Sequence, residues 1–120
     1  MLHEDLTRRI IGISFEVLNE LGSGFLESVY KKALLLALRQ ADLEASEEVK
    51  LGVTFRGENV GVFFADIIVE AKVLLEIKAV KALTPEHQAQ VINYLKATGL
   101  DVGLLLNFGR PKLEYKRMHS

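Results

Sequence analysis

Residues 62–80 read VFFADIIVEAKVLLEIKAV, two apolar runs separated by the short polar break Glu70-Ala71-Lys72. Runs of this length and composition predict two strands joined by a tight turn. Three residues do not belong in a sheet core: Asp66 in the first strand, Glu76 and Lys78 in the second. A carboxylate inside FFADIIV is costly to bury unless it is paired or bound to a metal. A turn that sets Val69 opposite Val73 puts Asp66 opposite Glu76. Lys78 then shares the face of Glu76, because strand side chains alternate. Two acids and a lysine converge on one patch. A slip of one residue at the turn would part them.

Outward from this hairpin, residues 44–55 read as a linker followed by a strand, with Val49, Leu51, Val53 and Phe55 in alternation. Arg56-Gly57-Glu58-Asn59 is a turn. The near-continuous apolar character of the central hairpin predicts cover on both of its faces. Toward the N-terminus, Leu6, Ile10, Ile13, Val17 and Leu21 recur at helical spacing over residues 2–21, and Gly22 is a terminator. A second helix is expected from Ser23-Gly24 to about Ala41. Beyond the hairpin, Thr84-Pro85-Glu86 is a helix start, with threonine as cap, proline at the first position and an acid in the first turn. Thr98-Gly99-Leu100 ends that helix. Residues 101–107, DVGLLLN, form a short apolar strand, and residues 113–118 alternate like an edge strand.

The order of helix, helix, three strands, helix, strand, strand fits an α/β sandwich. Its first three strands form an antiparallel meander, and the last helix is a crossover that lays residues 101–107 beside them. At 120 residues the chain is expected to be one domain, residues 1–120. Its 49% hydrophobic and 26% charged residues are ordinary for a soluble protein. There is no cysteine, which excludes disulfides and thiolate chemistry. No apolar run approaches the roughly 18 residues of a membrane span, and MLHEDLTRR lacks the apolar segment of a signal peptide. A cytoplasmic location is the expectation. The net charge of -1 provides no global basic footprint, so any nucleic-acid reading rests on a local site.

The charged patch allows two readings. Hard divalent cations such as Mg²⁺ take carboxylate oxygens, and Asp66 and Glu76 offer them; the backbone carbonyl of Ile77 adds another. Such an ion polarises a phosphoryl group and lowers the pKa of bound water, while Lys78 holds that water or stabilises developing charge. The other reading is a carboxylate–lysine ion pair. Glu27 is either a further metal ligand or an acid complementing the dipole of the second helix, with Gly24 as its cap. Tyr30, on the same helix face, is a core residue or a partner of Glu27. Gln90 and Tyr94, four apart, share a face of the last helix, where Tyr94 packs on the sheet with its hydroxyl at the rim. His87 suits a cap or surface position better than a metal. Lys112, Lys116 and Arg117 are the best candidates for a phosphate-facing edge.

These pieces together resemble the PD-(D/E)xK nuclease superfamily, and within it the GxxExxY family. Residues 24–30, GFLESVY, match the motif that names that family; Asp66 followed by Glu76-Ile77-Lys78 matches the D…ExK signature. Residues 90–94, QVINY, match the QxxxY motif of the RecB-like nuclease branch. Ala65 stands where the superfamily's name has proline. The resemblance implies a restriction-endonuclease-like core and a Mg²⁺- or Mn²⁺-dependent nuclease acting on DNA. Asp66, Glu76 and Glu27 are then metal-binding acids, Lys78 assists the attacking water, and Gln90, Tyr94 and Tyr30 contact substrate or orient the site. A homodimer that grips both strands is compatible with so small a chain. A non-catalytic nucleic-acid-binding or assembly module on the same fold is the alternative.

Overall fold

A computed structural model describes residues 2–120. The elements are α1 (Glu4–Leu21), α2 (Glu27–Gln40), β1 (Ala45–Phe55), β2 (Glu58–Val69), β3 (Val73–Lys78), α3 (Pro85–Thr98), β4 (Val102–Asn107) and β5 (Glu114–His119). The strands form one sheet in the order β1-β2-β3-β4-β5. Only β3 and β4 run parallel, because only they are joined by a helical crossover. The expected meander and crossover strand are both present, a restriction-endonuclease-like arrangement.

Local sequence sets most element ends. α1 buries Ile10, Val17 and Leu18, and its buried Ser14 and Thr7 hydroxyls donate to Ile10 O and Glu4 O. Gly22 closes it at φ 76°, its N–H on Leu18 O. α3 starts as anticipated: Thr84 accepts from His87 N, and His87 Nδ1 accepts from Thr84 N, a reciprocal cap. His87 is thus a capping residue.

α2 departs from expectation. It begins at Glu27, with Leu26 as its cap residue, while Gly24 lies in the preceding loop at φ 113°. The cause is Tyr30. Its hydroxyl donates to Gly22 O (2.6 Å) and accepts from Phe25 N (3.1 Å), so the chain between them is held as a loop instead of a first helical turn.

Helices cover the two faces of the sheet unequally. α1 and α2 pack on Ile67, Val69, Val73, Leu75, Ile77, Leu104 and Leu106, while α3 packs on Leu74 and Leu105. β3 and β4 are therefore buried on both sides, as their unbroken apolar runs require. Cover of the hairpin is incomplete, contrary to expectation. From Ala65 inward β2 is largely buried, but Val60, Val62 and Phe64 are exposed, as are Val53 and Phe55 on β1. The outer half of β1–β2 is an arm on which the exposed Val60, Val62 and Phe64 have no helix over them, while Phe63 between them meets Tyr94 of α3.

At the root of that arm the sheet changes facing. Ile67 packs on the α1–α2 side and Ile68 on the α3 side, yet Ala65 joins the α3 side with Val49 and Leu51. Strict alternation would return Ala65 to the side of Ile67. The β1–β2 ladder skips one pair here, Glu48 with Asp66, without changing register, and Glu48 takes φ 48°. Asp66 stands on the seam.

Candidate active site

Val69 pairs with Val73, and the β2–β3 ladder runs through Ile67↔Leu75. One step further Asp66 meets Glu76. There the backbone ladder gives way to a side chain: Asp66 Oδ2 accepts the Ile77 N–H at 2.8 Å. Ile77 therefore enters the site through its amide, with its side chain fully buried.

Glu76 is 4% exposed, and its Oε1 has no hydrogen-bond partner. Burial pushes its carboxyl up to about 9, helped by a hydrogen bond to Asp66 and by the charges of Asp66 and Glu27, and opposed by Lys78. At neutral pH the Glu76 carboxyl holds a proton beside Asp66, because two close carboxylates in a desolvated place do not both ionise.

Lys78, half-buried at the end of β3, donates from Nζ to Gln90 Oε1 at 3.1 Å, and Gln90 Nε2 donates to the Tyr94 hydroxyl at 2.9 Å. The Tyr94 ring stacks on Phe63 with centroids 3.9 Å apart. Burial and the Glu76 and Asp66 charges raise the Tyr94 hydroxyl pKa, against the Gln90 hydrogen bond. Lys78, Gln90, Tyr94 and Phe63 thus form a continuous chain from β3 across α3 to β2.

Glu27, the first residue of α2, reaches this group from the other side of the sheet. Burial of its carboxyl raises its pKa; Asp66 adds to the rise, while Lys78, Lys31 and His87 oppose it. Lys31 is itself paired with Glu48. Among the described residues no three acidic or histidine side chains close into a ready-made metal cage. The close pair is Asp66 and Glu76. The chemistry of the set nonetheless suits a hard divalent cation. Its donors are oxygens without thiolate, and a buried glutamic acid with an unused oxygen is a group that a cation can deprotonate and satisfy.

Tyr30 lies elsewhere. It is fully buried, stacked on Phe108 (5.1 Å) and edge-on to Phe25. Tyr30 is thus a core residue, one of the two readings its position allowed, and its hydroxyl ties down the loop that precedes Glu27. Lys112 precedes β5, and Lys116 and Arg117 lie on it, separated from β3 by β4; Arg117 donates to Leu2 O.

A second support was missed in the sequence. Asn107, fully buried at the end of β4, accepts from Val80 N and Gly109 N and donates to Val80 O and Glu114 Oε1. Glu114 also accepts from Leu83 N. Together they staple the segment after Lys78 to β4 and β5, and a Cβ on Gly109 would lie 2.3 Å from Val80 O. An amide directly after the apolar run VGLLL was the available signal.

The family model of the PD-(D/E)XK nuclease superfamily matches residues 4–118. No curated protein matches the chain in sequence. The crystal structure of SSO0001 superposes with a TM-score of 0.60 at 18% identity, over 78% of this chain and 49% of that one. The chain spans about half the length of that protein, and the likeness is one of fold.

Proposed function

The chain belongs to the PD-(D/E)XK nuclease superfamily, and from that premise we propose that it is a metal-dependent nuclease hydrolysing DNA phosphodiester bonds. The observation that carries the reading is the meeting of Asp66 and Glu76 across the hairpin, with Lys78 two residues on along the same strand and Glu27 arriving from α2. Asp66, Glu76 and Glu27, with the Ile77 carbonyl, would hold Mg²⁺ or Mn²⁺. A divalent cation held there would supply Lewis-acid stabilisation of the attacked phosphate. To serve as a ligand, Glu76 would release its proton to solvent. Lys78, held by Gln90, supplies positive charge beside the attacked phosphate. Gln90 and Tyr94 orient that lysine.

Residues 24–30 and 90–94 support the narrower placement in the GxxExxY family and the RecB-like branch. No helix among the described residues is long and apolar enough to cross a membrane, which accords with a cytoplasmic nuclease. A homodimer that engages both strands belongs to the same proposal. The test is cleavage of labelled single- and double-stranded DNA with Mg²⁺ or Mn²⁺, with and without chelator. Wild-type protein should cut only with the metal, and Asp66→Ala and Lys78→Ala should abolish cutting. Undiminished cutting by either variant would overturn the assignment of roles.

A further inference from the structure

Where the β1–β2 arm leaves the body it stands off from α3, and the gap is a cleft of about 510 Å³. That volume lies within the roughly 300–1,000 Å³ of sites for small organic groups. Gly52 and Thr54 line it from β1, Phe63 from β2, and Asn93, Tyr94 and Lys96 from α3. Tyr94 links the cleft to the candidate active site, since its hydroxyl holds the Gln90 amide that in turn holds Lys78. The cleft therefore begins two side chains from the lysine.

Its lining has a definite chemistry. The stacked Phe63–Tyr94 pair makes an aromatic wall, and Lys96 is an exposed cation in a chain of net charge -1. Asn93 and Thr54 offer an amide and a hydroxyl, able both to donate and to accept. Gly52 keeps the β1 wall low: a Cβ there would lie 3.0 Å from Asn59 Nδ2. Aromatic surface for a base, a cation for a phosphate and an amide for a base edge are the elements by which single-stranded nucleic acid is bound. A paired base in a duplex is stacked on both sides and cannot lie against the aromatic wall of such a cleft; an unpaired base can.

We propose that this cleft receives an unpaired nucleotide next to the phosphodiester at the active site, so that the substrate is a strand with at least one unstacked base there. The inference rests on the nuclease reading and deepens it. The arm is then a substrate-holding element, with its base side against α3, and Lys96 contacts a flanking phosphate.

The test uses the full chain with chelator present, so that binding is read without cleavage. The probes are a fluorescein-labelled oligothymidylate and a blunt duplex of the same length, followed by anisotropy. Ala97 also lines the cleft and is exposed, so Ala97→Trp fills it from the solvent side. The wild type should prefer the single strand. Ala97→Trp should weaken single-strand binding by roughly fivefold or more, the loss of one stacked base. Lys96→Ala should lower the salt slope of binding by about 0.7, as for one phosphate contact on a single strand. Unchanged melting temperatures would show that both variants are folded. If either is unfolded, Asn93→Ala and Thr54→Val replace it under the same criterion. Wild-type affinity in folded cleft variants, with metal-dependent cutting intact, overturns the cleft inference and leaves the nuclease reading standing. Weakened binding in the variants, with no cutting by the wild type, supports the cleft and overturns the catalytic reading. No binding to either probe overturns the cleft inference, and the nuclease reading then stands or falls on metal-dependent cutting.

Discussion

The Asp66 carboxylate accepts the Ile77 N–H at 2.8 Å, so a side chain continues the hairpin ladder where its backbone pairs end. This contact anchors Asp66 against the residue next to Glu76, where a hydrogen bond and the Asp66 charge add to the burial that raises the Glu76 pKa.

Stability should fall as pH rises above the ordinary glutamate range. Glu76 titrates near 4.5 when unfolded and at about 9 when folded, so between these values the folded state holds the extra proton. Its contribution is fully present below pH 4.5 and is lost as pH rises through about 9. The limiting slope is about 1.4 kcal/mol per pH unit for one proton. Urea unfolding between pH 5.5 and 8.5 should show this trend, and Glu76→Gln should flatten it. An equal slope in the variant would assign the trend to other groups.

Loading a divalent cation at neutral pH should release a proton from Glu76. Calorimetric titration with Mn²⁺ in buffers of different ionisation enthalpy measures that number directly. About one proton is expected for the wild type and close to none for Glu76→Gln. Mn²⁺ affinity should also strengthen as pH rises.

On the proposed nuclease reading Gln90 acts as a positioning residue, through its hydrogen bonds to Lys78 and Tyr94. Gln90→Ala should lower kcat by roughly tenfold with a smaller change in KM, because a misplaced lysine harms the transition state more than binding. Loss of its hydrogen bond should also raise the Tyr94 hydroxyl pKa further, a readout by ultraviolet titration that needs no turnover.

Tyr30→Phe keeps the ring stacked on Phe108 but deletes the hydroxyl that Gly22 O and Phe25 N share. The expected loss is about 1–3 kcal/mol, the penalty for unsatisfied groups that are partly buried. Hydrogen exchange should quicken selectively over residues 22–28, and cutting should fall because Glu27 loses its fixed approach.

Asn107→Ala removes four hydrogen bonds, two that hold Val80 to the end of β4 and one each to Gly109 and Glu114. At roughly 0.5–1.5 kcal/mol for each bond, a loss of about 2–6 kcal/mol is expected in chemical denaturation. Gly109→Ala should be destabilising as well, since its Cβ would meet the Val80 backbone.

The features legible in advance were those set within a few residues of chain. Thr84, Pro85 and Gly99 marked α3 because caps and left-handed stops are local hydrogen-bond problems. The turn count from Val69 to Val73 carried Asp66 to Glu76, since an antiparallel register follows from its turn. What the tertiary structure alone decided involves partners far apart in sequence. The Tyr30 hydroxyl turned a helical start into a loop, and Asn107 closed the segment after Lys78. The helices left Val60, Val62 and Phe64 of the β1–β2 arm uncovered because cover depends on where α1, α2 and α3 end in space. Periodicity shows that a side chain is apolar and on which side of its strand it lies; only the packed neighbours decide whether that side faces a helix, a cleft or water.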